Sequence, residues 1–266
     1  MKLFLKILKI LFSSLFLIFI LGVLYFVLLA PKEKRFSLAE HSQGSLLSQK
    51  MFERLKAQYP DYSNAYFEQS VAFNKYGNHA KGFELLNQAV NIDPELHLGY
   101  RGYMKLRFLR QFDGALADFE RLDSLTPEVV DAPWGENIYF LKGECYFGKK
   151  DFANAIESFN LTVAKEKEGW ADVQTFVYLG LCNYELGNYE KAVSEFKRAL
   201  SQSKHICEAH FGLARTFEKL GEIKLAKDHL EKAEKNIEYK RENEYYEYLN
   251  EIYLWEILKF KQHLEN

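Results

Sequence analysis

The stretch "LGLCNYELGNYEKAVSEFKRAL", Leu179 to Leu200, decides the fold, because pieces built on the same plan stand upstream and downstream of it. "LKGECYFGKKDFANAIESFNLTV" runs from Leu141 to Val163, and "FGLARTFEKLGEIKLAKDHLEKA" from Phe211 to Ala233. Each has a small residue in a first helical stretch, a short turn, an aromatic or apolar residue, an alanine, and an apolar residue four positions later. No catalytic group recurs with them. What repeats is packing. A small residue lets two helices approach closely, and large residues at helical spacing fill the space between one pair and the next. One pair cannot bury its apolar face alone, so pairs must stack.

Aligning the chain on itself extends this plan to about five units with a period of about 34 residues. They begin near Ser63, Glu95, Glu136, Val173 and Cys207. The small residue of the first helix is Ser70, Gly102, Gly143, Gly180 and Ala214 in turn. The second helix opens at His79, Phe112, Phe152, Tyr189 and Ile223. Gly82, Ala115, Ala155, Ala192 and Ala226 follow at the alanine position, and Leu86, Phe119, Phe159, Phe196 and Leu230 after them. The turn glycine is Gly77, Gly187 and Gly221, while Arg110 and Lys150 stand there in the second and third units. Extra residues around "VVDAPW" and "KEKEGW" interrupt the period.

Over Ser63 to Lys240 this pattern resembles the tetratricopeptide repeat, a helix–turn–helix unit. The resemblance implies an all-α solenoid with no catalytic site, cofactor or metal, whose first helices line a concave groove that holds a protein or peptide partner. Residues 46–62 match a second helix alone, with Phe52, Leu55 and Pro60 in place, and Tyr246, Leu249 and Tyr253 match first-helix spacing. The expectation is therefore a repeat array over 63–240 between a half-repeat helix at 46–62 and a capping helix at 241–266, since open ends of a stack must be covered. The last helix is apolar over more of its circumference than a cap requires, which makes it a second candidate docking surface.

The positions expected to face the groove begin with Phe67, Val71, Tyr100 and Tyr103. Phe140, Leu141, Tyr178, Leu181, Tyr184 and Phe211 continue the face, with Glu144 and Arg215 as scattered charge. Phe140, Tyr178 and Phe211 come from successive first helices and should lie in a row. Such an aromatic groove suits an apolar helix or an extended peptide. Some members of the family clamp a partner's C-terminal carboxylate with Lys, Asn and Arg, but Phe67 and Val71 stand at those positions here, so that clamp is not expected.

Ile10 to Ala30 carries no charge, and about 20 apolar residues suffice for a membrane-spanning helix. A cleaved signal would have a shorter apolar run ending in an A-x-A pattern; here Pro31 follows Ala30 directly. Residues 1–30 thus read as an uncleaved anchor and 31–45 as a linker. Lys2, Lys6 and Lys9 precede the run and Lys32, Lys34 and Arg35 follow it, so the positive-inside rule nearly ties. The amino terminus tips the reading toward a cytoplasmic N-terminus, with the repeat domain on the extracytoplasmic side.

The formal net charge of −2 gives no electrostatic reason to expect nucleic acid. Cys145, Cys182 and Cys207 have neither disulfide nor zinc spacing and read as small buried hydrophobes. The histidines form no H-E-x-x-H pair or Cys/His cluster, and phosphate-loop and nucleophile-elbow motifs are absent. The function expected is a membrane-anchored, non-catalytic scaffold or assembly factor. A cytosol-facing receptor and a subunit of a membrane-bound enzyme are the alternatives; the second needs ionisable groups converging in the groove.

Overall fold

The computed structural model describes residues 2–239 and 248–265. Among the described residues every regular element is helical. The chain divides into two compact units, residues 1–97 and 98–266.

The first unit opens with α1 (Lys2–Leu24), which runs into a π-helical turn over Tyr25–Leu29. Its segment Phe4–Leu24 is long and apolar enough to cross a membrane, and none of it is buried by the rest of the chain. Next come α2 (Lys32–His41), α3 (Leu46–Gln58), α4 (Ser63–Lys75) and α5 (His79–Ile92). α2 corrects the expectation of a linker at 31–45. It packs against α3 through Ala39 and Phe36, whose ring meets Phe52 and Tyr62 edge-on. Arg35 is buried and donates from Nη1 to Gln58 Oε1 at 2.6 Å. The segment shows little apolar periodicity because Arg35 and Lys32 pack by their stems and by cation–π contact with Tyr59 and Tyr62. The presumed lone half-repeat is thus the second member of a pair, with Phe52 and Leu55 buried.

The second unit takes in most of α6 (Pro94–Arg107), then α7 (Phe112–Leu125), α8 (Ile138–Gly148) and α9 (Phe152–Glu166). α10 (Val173–Glu185), α11 (Tyr189–Gln202), α12 (Cys207–Lys219), α13 (Ile223–Lys235) and α14 (Leu254–Glu265) complete it. Every second helix of the repeats, from α5 to α13, begins at the residue its sequence position marks. The turn before it is left-handed throughout: Gly77, Gly187 and Gly221 have φ of 75°, 76° and 78°, and Arg110 and Lys150 adopt 52° and 61°. The geometry of the turn is therefore kept where glycine is not, at the steric cost an L-residue carries in that region.

Close helix approach explains the recurring small residues. A Cβ added at Gly102, Gly143 or Gly180 would lie 2.6 Å from the ring of Phe119, Phe159 or Phe196 respectively. Each ring is fully buried. The three cysteines are buried and none forms a disulfide; burial pushes the Cys182 thiol up to about 12.

The capping helix differs from expectation. Among the described residues of this segment α14, from Leu254, is helical and Tyr248 to Tyr253 are not; Tyr246 lies outside the described residues. Ile257 seats α14 in a cluster with Phe211, Leu230 and Ala233. Tyr253 and Trp255 remain exposed.

α12 and α13 also meet through His210 and His229, whose Nδ1 atoms lie 3.1 Å apart. Burial, then the neighbouring His210 and Lys232, hold His229 down to about 4 from its ordinary 6.5, and burial lowers His210 too. A histidine with a lowered folded-state pKa gives stability that is complete above its unfolded pKa and is lost as pH falls toward the folded value. Thermal melting of the protein is therefore expected to fall between pH 6.5 and about 4, and His229→Gln is expected to flatten that part of the profile.

Candidate functional site

α8, α10 and α12 are first helices of successive repeats, and their shared face is where a groove was expected. The structure buries most of the residues assigned to it. Val71 in the first unit, and Tyr103, Phe140, Leu141, Tyr178 and Phe211 in the second, are all buried. Phe67, Tyr100, Leu181 and Tyr184 are half-buried. Phe67 stacks on His97 within the first unit. Tyr100 and Tyr103 pack on Trp134. The supposed row is also divided: Phe140 and Tyr178 belong to one core cluster, Phe211 to another with α14. These side chains are helix-packing groups first, which corrects the expectation of an open aromatic row.

Tyr178 shows why. Its ring stacks on Phe159 at 5.1 Å with planes 6° apart and meets Phe140 and Phe147 edge-on. Its hydroxyl donates to Glu144 Oε1 at 2.7 Å. The same oxygen accepts from Arg107 Nη1 at 2.6 Å, and Arg107 Nη2 pairs with Glu136. Arg107 and Glu144 are fully buried. Burial opposes the charge on Arg107, but the two carboxylates outweigh it and hold the guanidinium above its ordinary range. Burial likewise raises both carboxylates, Glu136 to about 7, although Arg107 pulls each of them down. Tyr178→Phe keeps the stacking and removes a hydrogen bond to a buried carboxylate. The expected cost is about 1.5–3 kcal/mol, read as a lower melting midpoint.

The face is occupied by the chain's own C-terminal segment. The backbone N–H of Leu249 donates to the Tyr178 hydroxyl at 2.9 Å. Asn250 Nδ2 donates to Gln174 Oε1 at 2.8 Å. The Tyr248 ring lies 4.6 Å under the Arg107 guanidinium and edge-on to Phe140. A non-helical stretch is thus read through one main-chain donor, one side-chain amide and one aromatic ring. Beside it, Leu181 and Tyr184 stay partly accessible, and Arg215 sits over the Tyr184 ring at 4.3 Å. Next to the same stretch, a cavity of about 480 Å³ is lined by Glu136, Thr175, Trp170 and Tyr248 among others.

Two family models carrying the description "Tetratricopeptide repeat" match residues 184–239 and 136–161. The chain carries tetratricopeptide repeats over these two segments. Solved structures of such proteins share the fold. PilW, described as a widely conserved type IV pilus biogenesis factor, aligns with a TM-score of 0.60 at 17% identity, over 79% of this chain and 95% of that one. PilF of Pseudomonas aeruginosa aligns at 0.61 and 11% identity, over 87% and 97%. YrrB, described as a TPR protein with an unusual peptide-binding site, aligns at 0.55 and 14% identity, over 70% and 91%. At these identities the likeness is one of fold. No curated protein sequence matches the chain.

Sequence reasoning missed Arg107 and Glu136, and read Glu144 as loose charge. One signal was available: Arg107 and Glu144 occupy inward positions of first helices, where a charge needs a buried partner. The partners themselves are 29 and 37 residues apart, a separation that no local pattern reports.

Proposed function

We propose that this tetratricopeptide-repeat protein is a membrane-anchored, non-catalytic docking scaffold that holds a non-helical segment of a partner protein on the inner face of α8, α10 and α12. One observation carries the reading: that face already binds non-helical chain, taking the Leu249 N–H on Tyr178 and the Asn250 amide on Gln174. Main-chain recognition gives affinity with modest sequence demand, and half-buried Leu181 and Tyr184 supply side-chain contact beside it. The peptide-binding description of YrrB supports the same use of the fold.

The anchor is α1. Its apolar surface is left exposed by the described residues, and a lipid bilayer would cover it. The protein is expected to remain in membranes through high-salt and carbonate washes; release by carbonate would overturn the anchor. The extracytoplasmic orientation rests on Lys2, Lys6 and Lys9 before the span and on Arg35 being taken up in the α2–α3 pair behind it.

The docking claim is tested by proximity capture from intact membranes with the parent protein and with Leu181→Lys. The substitution adds a charge at a half-buried inner position. Captured partner should fall at least tenfold while helical content is unchanged. Equal capture by both would contradict inner-face docking.

A further inference from the structure

We propose that the wedge between the end of α1 and α2 is a seat for one anionic phospholipid, its acyl chain against the apolar walls and its phosphate at Lys34. The inference rests on the anchor reading, since a lipid meets the wedge only where α1 lies in a bilayer.

Two helical faces open onto the wedge. Phe19, Gly22, Val23 and Phe26 recur at helical spacing on α1 and the π-helical turn that continues it. Lys34, Ser37, Leu38 and His41 recur at the same spacing on α2, and Leu47 of α3 completes the lining. The space is about 700 Å³, within the range of pockets that hold small organic ligands. Phe19, Val23, Phe26, Leu38 and Leu47 are all exposed, and so is Leu46 beside them. Apolar surface left open on both walls is unfavourable in water. Phe19, Gly22 and Val23 belong to the Phe4–Leu24 segment that can cross a membrane. The wedge is therefore continuous with the surface a bilayer would cover, and lipid is what reaches it.

Gly22 supplies a second observation. It is the one glycine before Pro31, in a run rich in Leu, Ile, Phe and Val. A Cβ built there would meet nothing within 4 Å, so no described part of the chain requires a residue so small. Glycine weakens a helix relative to alanine, and on this wall it widens the space for an occupant from outside.

The head group follows from the charges. Of the three basic residues after the span, Lys32 lies over the Tyr62 ring and Arg35 is held by Gln58. Lys34 is exposed on the wedge, and no described acid pairs with it. Glu33 and Glu40 of α2 are absent from the lining, where His41 is the other basic group. A lysine can lay its stem on apolar surface and keep its ammonium at the interface, where a phosphate is its natural counter-charge. A partner's membrane helix would match the apolar walls but leave Lys34 without that counter-charge.

The test places the intact chain in nanodiscs of equal phosphatidylcholine and phosphatidylglycerol, releases it into mild detergent, and counts retained lipid by native mass spectrometry. One phosphatidylglycerol per chain is expected, at least fivefold above phosphatidylcholine. Gly22→Leu puts a side chain of the protein's own into the wedge and should cut retention at least fivefold. Lys34→Gln should abolish the preference for phosphatidylglycerol. Lys50→Gln, on α3 and outside the wedge, should change neither. Melting of all three variants should match the parent, because Gly22 faces open space and both lysines are exposed. No retained lipid, equal retention of the two lipids, or retention unmoved by Gly22→Leu or by Lys34→Gln would overturn the seat. So would a lipid-free dimer, the mark of a second copy's helix in the wedge. Protein that stays in membranes through carbonate yet retains no lipid overturns the seat alone; release by carbonate overturns the anchor and the seat with it.

Discussion

Arg107→Met is expected to lower stability by about 3–5 kcal/mol, because it leaves buried carboxylates without their cation. Arg107 and Glu144 have no exposed side-chain surface, and Glu136 has little. In the parent, the guanidinium spans both acids and lies over the Tyr103 and Tyr248 rings, so one substitution removes two ion pairs and two cation–π contacts. The remaining carboxylates would hold protons more readily, in the direction burial already pushes them. The double variant Arg107→Met with Glu144→Met removes the fully buried acid as well. It should be less destabilised than the single variant, since a buried pair replaced by apolar groups is often tolerated. Chemical unfolding followed by far-ultraviolet circular dichroism checks both, and a double variant worse than the single would contradict this account of the network.

Phe196→Ala should cost about 3–5 kcal/mol, the range for deleting a buried aromatic ring. Phe196 is fully buried on α11 and fills the space against two first helices at once. A Cβ at Gly180 on α10 would lie 2.6 Å from its ring, and one at Gly212 on α12 would lie 2.3 Å away. Gly212→Ala alone should therefore overpack the contact by about 1–3 kcal/mol. Combined with Phe196→Ala, the same methyl enters the cavity and should recover stability. That reversal of sign is the signature of direct contact in a double-mutant cycle. Additive losses would mean that the two helices do not meet at this ring.

The repeat register was legible because it is local. Helix starts at His79, Phe112, Phe152, Tyr189 and Ile223 follow from spacing, and the left-handed turns at Arg110 and Lys150 follow from their alignment with Gly77, Gly187 and Gly221. α2 was illegible because its packing face is carried by Arg35, Phe36 and Ala39, too few apolar residues for a periodic signal. The inner face was misread for a different reason. The family pattern says which positions face inward, and Tyr178 does so, but it does not say what covers them. The cover is Tyr248 to Asn250, 71 residues on in the case of Leu249, and nothing near Tyr178 announces it. The site therefore came out of the sequence as an open aromatic groove and out of the structure as a face already engaged by chain.

The central claim is that this face takes a partner's chain. A photoreactive amino acid placed at Leu181, half-buried on α10, and separately at Lys197, exposed on α11, tests it in the intact chain expressed in cells. Illumination should give a discrete protein adduct from position 181 and none from position 197. Adducts of equal yield from both positions, or none from 181 in a folded protein, would contradict inner-face docking.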